Sequence, residues 1–323
     1  MMTKKQFNEY LEQANTIAIS GHVRPDGDCT GSCLALARYI RDNWSEKEVQ
    51  VFLQPIRDSF LFLPDADKIA HESDQKEYDL FVCCDCGEEE RLGDFKELYR
   101  NAKFRICVDH HISNDGFGDE SHIISTGSST CELLYGLMDS EKVSKETATA
   151  LYLGIVHDTG VFKHSNTTKA TMIAAGELLE KGVDNSYIID ETFYAKTYMQ
   201  NQVLGRALME SQTMLDGKVI FSSLDQSIME FYGCASADLD GVIDQLRITK
   251  GVEVAIFLYE IAPGEYKVSM RSNHEVNVSQ IAKMYGGGGH VKAAGCIMQG
   301  TVQDIIPQLV AKIAVQLDAE EVK

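Results

Sequence analysis

Three apolar runs constrain the fold of this chain more than any other feature, because each stops abruptly on acid or imidazole. Thr16 to Ile19 gives way to Ser20-Gly21-His22-Val23-Arg24-Pro25-Asp26-Gly27-Asp28, Tyr78 to Cys84 stops at Asp85, and Phe104 to Val108 stops at Asp109-His110-His111. Short runs that are continuously apolar, not alternating, read as strands buried on both faces. Helical stretches separate them, over Thr30 to Trp44 and, more polar, over Glu88 to Asn101. Strands alternating with helices imply right-handed crossovers and a parallel sheet, whose sites form in the crevice beyond the carboxyl ends of the strands. The three polar clusters are therefore expected to meet.

Further strands are expected at Val49 to Gln54 and Ser121 to Ser125. Gly127-Ser128-Ser129-Thr130 opens a helix over Cys131 to Met138, where hydroxyls and free amides either receive an anion or simply cap the helix. Thr147 to Val156 reads as a helix running into the polar turn His157-Asp158-Thr159-Gly160, and Thr171 to Lys181 as another, stopped by Gly182. Lys196 to Leu215 reads as one long connecting helix. From Lys218 the pattern changes to a strand (Val219 to Leu224), helices (Ser227 to Tyr232 and Ala237 to Leu246) and a hairpin pairing Val252 to Ile261 with Tyr266 to Arg271 across Pro263-Gly264. A short helix near Ser279 to Met284, the run Gly286-Gly287-Gly288-Gly289-His290 and a helix from Val302 to Leu317 follow. Four glycines let a backbone approach a ligand closely and turn amides onto an anion. A mere linker fits less well, given the apolar neighbours and His290. The expected division is residues 1–185, a helical linker over 186–216, and residues 217–323.

At 323 residues two domains are the default. The net charge of -19 argues against a long polyanion as partner, so a nucleic-acid substrate should be short. Most of the acidity precedes residue 218, which makes the second part the better place to hold an anion. The first ten residues lack the apolar core of a signal peptide, and no run approaches the roughly 18 apolar residues of a membrane span. Nine cysteines without regular spacing, several inside apolar runs, suit reduced thiols. A cytoplasmic protein without a membrane partner is expected. Cys83-Cys84-Asp85-Cys86 is set aside as a soft-metal site, since structural zinc sites use two separated ligand pairs.

The polar clusters offer His22, Asp26, Asp28, Asp85, Asp109, His110, His111 and Asp158, too many donors for one ion. Two divalent ions about 3.5 to 4 Å apart would use them, and such pairs serve phosphoryl hydrolysis. Mixed imidazole and carboxylate donors suit manganese, iron, cobalt or zinc better than calcium; the donors leave these four open, and Mn2+ is put first among them.

GHVRPDGDCTGS, the Asp closing LFVCCD, VDHH and GIVHDTG resemble the four ordered motifs of the DHH phosphoesterase superfamily, and RSNHEVNVSQIAKMYGGGGHVKAAGC resembles the motif of its accessory DHHA1 domain. The resemblance spans nearly the whole chain. It implies an α/β fold, with a parallel-sheet DHH domain joined by a helical linker to a smaller α/β DHHA1 domain and the active site in the cleft between them. It also implies that His22 and Asp26 hold one ion, Asp28, His110 and Asp158 the other, and that Asp85 bridges. Asp109 then orients an imidazole, His111 lies nearest the scissile phosphate, and Arg271, Gly287, Gly288, Gly289 and His290 grip a substrate phosphate. His157 departs from the pattern, in which a small or hydroxyl residue often precedes Asp158. The compact two-domain layout resembles the bifunctional oligoribonucleases (nanoRNases), which also remove the 3′-phosphate of adenosine 3′,5′-bisphosphate (pAp). The implied partners are RNA of about two to five nucleotides and pAp; a homodimer is left open. Hydrolysis of a cyclic or linear dinucleotide (c-di-AMP or pApA) is the runner-up, and nucleotide binding without turnover is a third reading.

Overall fold

The computed structural model describes residues 2–74 and 76–321. The chain divides into two compact units, Met1–Ala195 and Lys196–Lys323.

In chain order the first unit contains α1 (Lys4–Gln13), β1 (Thr16–Ser20), α2 (Gly27–Asn43), β2 (Glu48–Phe52), β3 (Leu80–Cys84), α3 (Lys96–Asn101), β4 (Phe104–Asp109), β5 (Glu120–Ile123), α4 (Thr130–Leu137), α5 (Lys145–Asp158), α6 (Lys169–Glu180) and α7 (Asn185–Ile189). The strands form one sheet in the order β2-β1-β3-β4-β5, with every neighbouring pair parallel. All five residues of β3 are buried, which is why its sequence carries no alternation. The strand order reverses direction between β1 and β3, the switch point at which open α/β sheets leave a crevice. His22 follows β1 and Asp85 follows β3, so the two flank that point.

Helices α2 and α5 pack closely over the sheet because glycines lie at their crossing. A Cβ on Gly31 would stand 2.5 Å from the Ala150 carbonyl oxygen and 3.2 Å from the Gly154 amide. A Cβ on Gly154 would run into the Cys131 sulfur and stand 2.7 Å from Asp28 Oδ1. The closeness of this crossing holds Asp28 beside α5.

The second unit contains α8 (Tyr198–Met209), β6 (Gln212–Met214), β7 (Val219–Leu224), α9 (Gln226–Tyr232), α10 (Val242–Arg247), β8 (Val254–Ala262), β9 (Glu265–Ser272), α11 (Val278–Met284), β10 (Gly288–His290), β11 (Ala293–Gln299) and α12 (Val302–Glu321). Its six-stranded sheet runs β10-β11-β9-β8-β7-β6, with only β7 and β8 parallel. Apolar residues of α11 and α12 cover one face, while Val203 and Ala207 of α8 join Val242, Ile243 and Leu246 of α10 on the other.

Several elements depart from the expectations. Lys196 to Leu215 is not one helix: α8 ends at Met209, and Gln212 to Met214 pairs antiparallel with β7. The turn between those strands needs positive φ at Leu215, Asp216 and Gly217, a conformation that a helical pattern does not reveal. Glu88 to Asn101 is a 3-10 segment broken at Gly93 before α3 begins. Ala237 to Leu246 is likewise interrupted at Gly241, whose φ is 86°. Helix α1 was not anticipated; it buries Phe7 and Leu11 and starts at a capping box between Thr3 and Gln6.

Glycine packing gives a paired test. Gly31→Ala forces a Cβ against backbone at the α2–α5 crossing, an overpacking that costs about 1–3 kcal/mol. Gly176 lies exposed within α6 with nothing within 4 Å of a built Cβ, so Gly176→Ala should gain about 0.5–1 kcal/mol of helix propensity. Thermal melts should move down for the first variant and up for the second.

Candidate metal centre

The loop after β1 bends so that His22 turns back into the protein. His22 Nδ1 lies 2.9 Å from the Val23 carbonyl oxygen, which only accepts, so Nδ1 carries the proton and Nε2 presents its lone pair. That Nε2 stands 3.6 Å from Asp26 Oδ2 and 3.5 Å from Asp85 Oδ2. Asp26 is also the N-cap of α2, its Oδ1 accepting from the Asp28 and Cys29 amides. Asp85 takes φ 54° at the end of β3, which aspartate tolerates better than most residues. Its second oxygen, Oδ1, lies 3.5 Å from His110 Nε2 and accepts from the Thr130 hydroxyl at 3.2 Å. His110 Nε2 in turn stands 3.2 Å from Asp158 Oδ2 and 3.9 Å from Asp28 Oδ2. The six residues His22, Asp26, Asp28, Asp85, His110 and Asp158 thus share one site, with Asp85 in the middle.

Donor atoms each about 2.1 Å from a common ion stand about 3 to 4 Å from one another, as these do. Asp28 and Asp85 are almost completely buried, a place where unpaired carboxylates are costly. Burial opposes charge on His22, yet Asp26 and Asp85 push its pKa up to about 12. His110, against the same opposition, is pushed up to about 10 by Asp85, Asp28 and Asp158. Burial, then the Asp85 and Asp158 charges, hold Asp28 well above the usual carboxylate range; burial above all raises Asp158 to about 6. Every shift reports the same need for positive charge, which a divalent metal meets with these donors. The Cys29 sulfur also lies within 4.8 Å of the His22 and Asp85 donor atoms.

Around this set the structure brings in residues that sequence reasoning did not single out for these tasks. The amides of Thr130 and Cys131 donate to Asp28 at 2.6 and 3.0 Å. The anion received at the start of α4 is therefore a side chain of the protein itself, while Ser129 supplies the ordinary cap. Fully buried Asp109 accepts from His111 Nδ1 at 2.7 Å and from Asn114 Nδ2 at 2.7 Å. Asn114 follows Asp109 by five positions on an irregular loop, and no periodicity marks it.

In the second unit Arg271 and His290 are both in register with Ala293, so they share one face of the sheet two strands apart. Arg271 makes no ion pair among the described residues; Nη1 donates to the Met270 carbonyl at 3.2 Å. It lines a cavity of about 530 Å³ with Phe257, Tyr259, Lys267 and Ser269. Two of the four glycines are required by strand pairing. A Cβ on Gly287 would lie 2.6 Å from Cys296 Cβ, and one on Gly289, at φ 139°, 2.6 Å from Ala294 Cα; Gly286 and Gly288 face open space.

Comparison with known proteins gives the family. Residues 16–155 match the N-terminal domain of the DHH family, and residues 216–317 match the DHHA1 domain. The chain is 30% identical over 294 residues to the probable bifunctional oligoribonuclease and PAP phosphatase NrnA of Streptococcus mutans, covering 88% of this chain and 90% of that one. It is 31% identical over 289 residues to the bifunctional oligoribonuclease and PAP phosphatase NrnA of Thermus thermophilus, covering 88% and 84%. The solved structure of an exopolyphosphatase-related protein from Bacteroides fragilis superposes with a TM-score of 0.84 at 25% identity, covering 95% and 94%. With a DHH domain followed by a DHHA1 domain, and relatives at this identity aligned over most of their length, the chain belongs to the DHH phosphoesterase family.

Proposed function

We propose that the protein is a metal-dependent phosphoesterase that degrades short oligoribonucleotides to mononucleotides and dephosphorylates adenosine 3′,5′-bisphosphate to AMP. One observation carries the metal chemistry: the two oxygens of Asp85 face two different imidazole Nε2 atoms, each at 3.5 Å. That is the disposition of a carboxylate shared by two ions. His22 and Asp26 would hold one, and Asp28, His110 and Asp158 the other. Two divalent ions, Mn2+ foremost, would supply an activated water and neutralise charge on the leaving oxygen. The relatives aligned over most of this chain support the substrate class by their names, oligoribonuclease and PAP phosphatase.

The protein's own residues do the rest. Asp109, locked by Asn114, accepts a hydrogen bond from the Nδ1–H of His111 and raises that imidazole's pKa. A His111 held protonated is suited to an oxygen on which negative charge develops. Arg271, without an ion pair in its cavity, is suited to a substrate phosphate other than the one cleaved, with His290 on the same face of the sheet two strands away. A net charge of -19 disfavours long RNA. No helix among the described residues is long and apolar enough to cross a membrane. Nine free cysteines, eight of them buried, suit a reducing compartment, and we place the enzyme in the cytoplasm on that basis.

The deciding experiment is a panel of RNA dimer to pentamer, a 24-mer, pAp, c-di-AMP and pyrophosphate with Mn2+, run on the wild type and on Asp85→Asn. Short RNA and pAp should be the best substrates. Asparagine tolerates the positive φ of position 85, so the variant should fold normally yet lose activity by orders of magnitude. A variant that keeps near-normal rates, or a wild type equally efficient on the 24-mer, would overturn the proposal.

Arg271→Met removes one charge-assisted contact worth about 2–3 kcal/mol. It should lower kcat/KM for 5′-phosphorylated RNA dimers by roughly thirty- to a hundredfold. Bis-p-nitrophenyl phosphate, which has no second phosphate, should be cleaved at nearly the wild-type rate.

The pH dependence has a definite sign. His22 and His110 are raised from 6.5 to about 12 and about 10. The stability they contribute to the metal-free protein is therefore complete below pH 6.5 and is lost as pH rises toward those values. Under EDTA the melting temperature should fall by several degrees between pH 6.5 and 9. Mn2+ binding expels the same protons, so its affinity should rise over that range. Calorimetry in two buffers of different ionisation enthalpy would register the release.

A further inference from the structure

His157 immediately precedes Asp158 yet takes no part in the donor set. Its imidazole instead lies against Gly27, the residue between Asp26 and Asp28; a Cβ built there would stand 2.6 Å from His157 Cβ and 2.9 Å from Cδ2. Phe60 meets the ring edge-on at 5.1 Å between centroids, and Phe193 stands at 5.7 Å. His157 Nε2 lies 2.8 Å from Thr192 Oγ1. The Thr192 hydroxyl already donates to the Ile188 carbonyl at 2.6 Å, so its oxygen can only accept, and the imidazole proton must sit on Nε2. Thr192 belongs to a short π-helical segment, Asp190–Tyr194, a rare conformation that concentrates at functional positions.

A histidine that merely fills a core needs neither a fixed proton nor an apolar bracket of two rings. This one touches the ends of both helices that carry metal donors, the first turn of α2 and the last turn of α5. Gly154, three residues earlier on α5, makes the other close approach to Asp28. We propose that His157 is a positioning residue: latched to Thr192, it sets the separation between the α2 end bearing Asp26 and Asp28 and the α5 end bearing Asp158. The inference rests on the assignment of these carboxylates as metal ligands. The latch keeps Asp158, at the end of α5, at the distance from Asp28 on α2 that donors to one ion would require, and His157 itself adds no donor to the set.

The test compares His157→Leu, His157→Asn, His157→Gln, Thr192→Val and the Leu/Val double variant. Mn2+ affinity is read by electron paramagnetic resonance of the free ion, the metal-free melting temperature by calorimetry, and kcat and KM on an RNA dimer. Thr192→Val and His157→Leu should each weaken Mn2+ binding roughly tenfold, the scale of one buried hydrogen bond, and lower kcat with KM little changed. The double variant should be no weaker than the singles. His157→Gln, whose amide nitrogen reaches the place of Nε2, should restore binding, while the shorter His157→Asn should not. Wild-type Mn2+ affinity in Thr192→Val, with or without a lower melting temperature, would overturn the proposal, as would losses that add in the double variant. A wild-type protein that binds no Mn2+ would instead overturn the metal assignment, and this inference with it.

Discussion

Negative charge gathered in a dry place is the constraint on which the rest of this structure depends. Asp28 and Asp85 are buried within a few ångströms of Asp26 and Asp158, and Asp109 is buried just behind them. Isolated carboxylates do not survive such an environment in ionised form. Each of the three buried ones has a different answer to that cost: Asp109 the His111 N–H and the Asn114 amide, Asp28 the amides that open α4, Asp85 the Thr130 hydroxyl. What these leave unmet falls on His22 and His110, whose raised pKa values register the deficit. A centre that holds two protons so firmly without metal is one that binds metal by giving them up.

The scaffold makes that concentration of charge geometrically possible. A parallel sheet delivers consecutive strand ends to one edge, and the reversal of strand order between β1 and β3 opens the gap into which they project. The sheet alone would not complete the site, because Asp158 arrives on a helix. Glycines at the α2–α5 crossing bring that helix near enough for Asp158 to reach His110 at 3.2 Å. Backbone strain is accepted where the site needs it: Asp85 leaves its strand through the left-handed region, and Arg24 does the same in the loop after β1.

The second unit follows a different principle. Its antiparallel register sets Arg271 and His290 on one face without burying them, and it leaves the guanidinium without a carboxylate partner among the described residues. An arginine without an ion pair, lining a cavity with Phe257, Tyr259 and Ser269, is suited to a ligand that brings its own charge. The buried acidic centre of the first unit and the accessible arginine of the second are thus built on opposite principles, burial in one and accessibility in the other.

Much of this was legible in the chain itself. Continuous apolar runs marked β1, β3 and β4, and the acids and imidazoles after them marked residues that meet, because a strand buried on both faces has no polar residue to spare and its first one marks the end. What stayed hidden depended on contacts between distant residues. Asn114 looks like any loop asparagine until Asp109 is buried beside it, and the start of α4 looks like a free anion site until Asp28, about a hundred positions away, occupies it. Lys196 to Leu215 read as one helix because a short strand has too few residues to declare a period; only pairing with β7 made Gln212 to Met214 a strand. The sequence alone determined which acids and imidazoles converge, since strand direction and the parallel crossover follow from local pattern. Tertiary structure alone decided how far apart they stand and which neighbours hold them, because those distances come from helix packing at Gly31, Gly154 and Gly27, which no local pattern encodes.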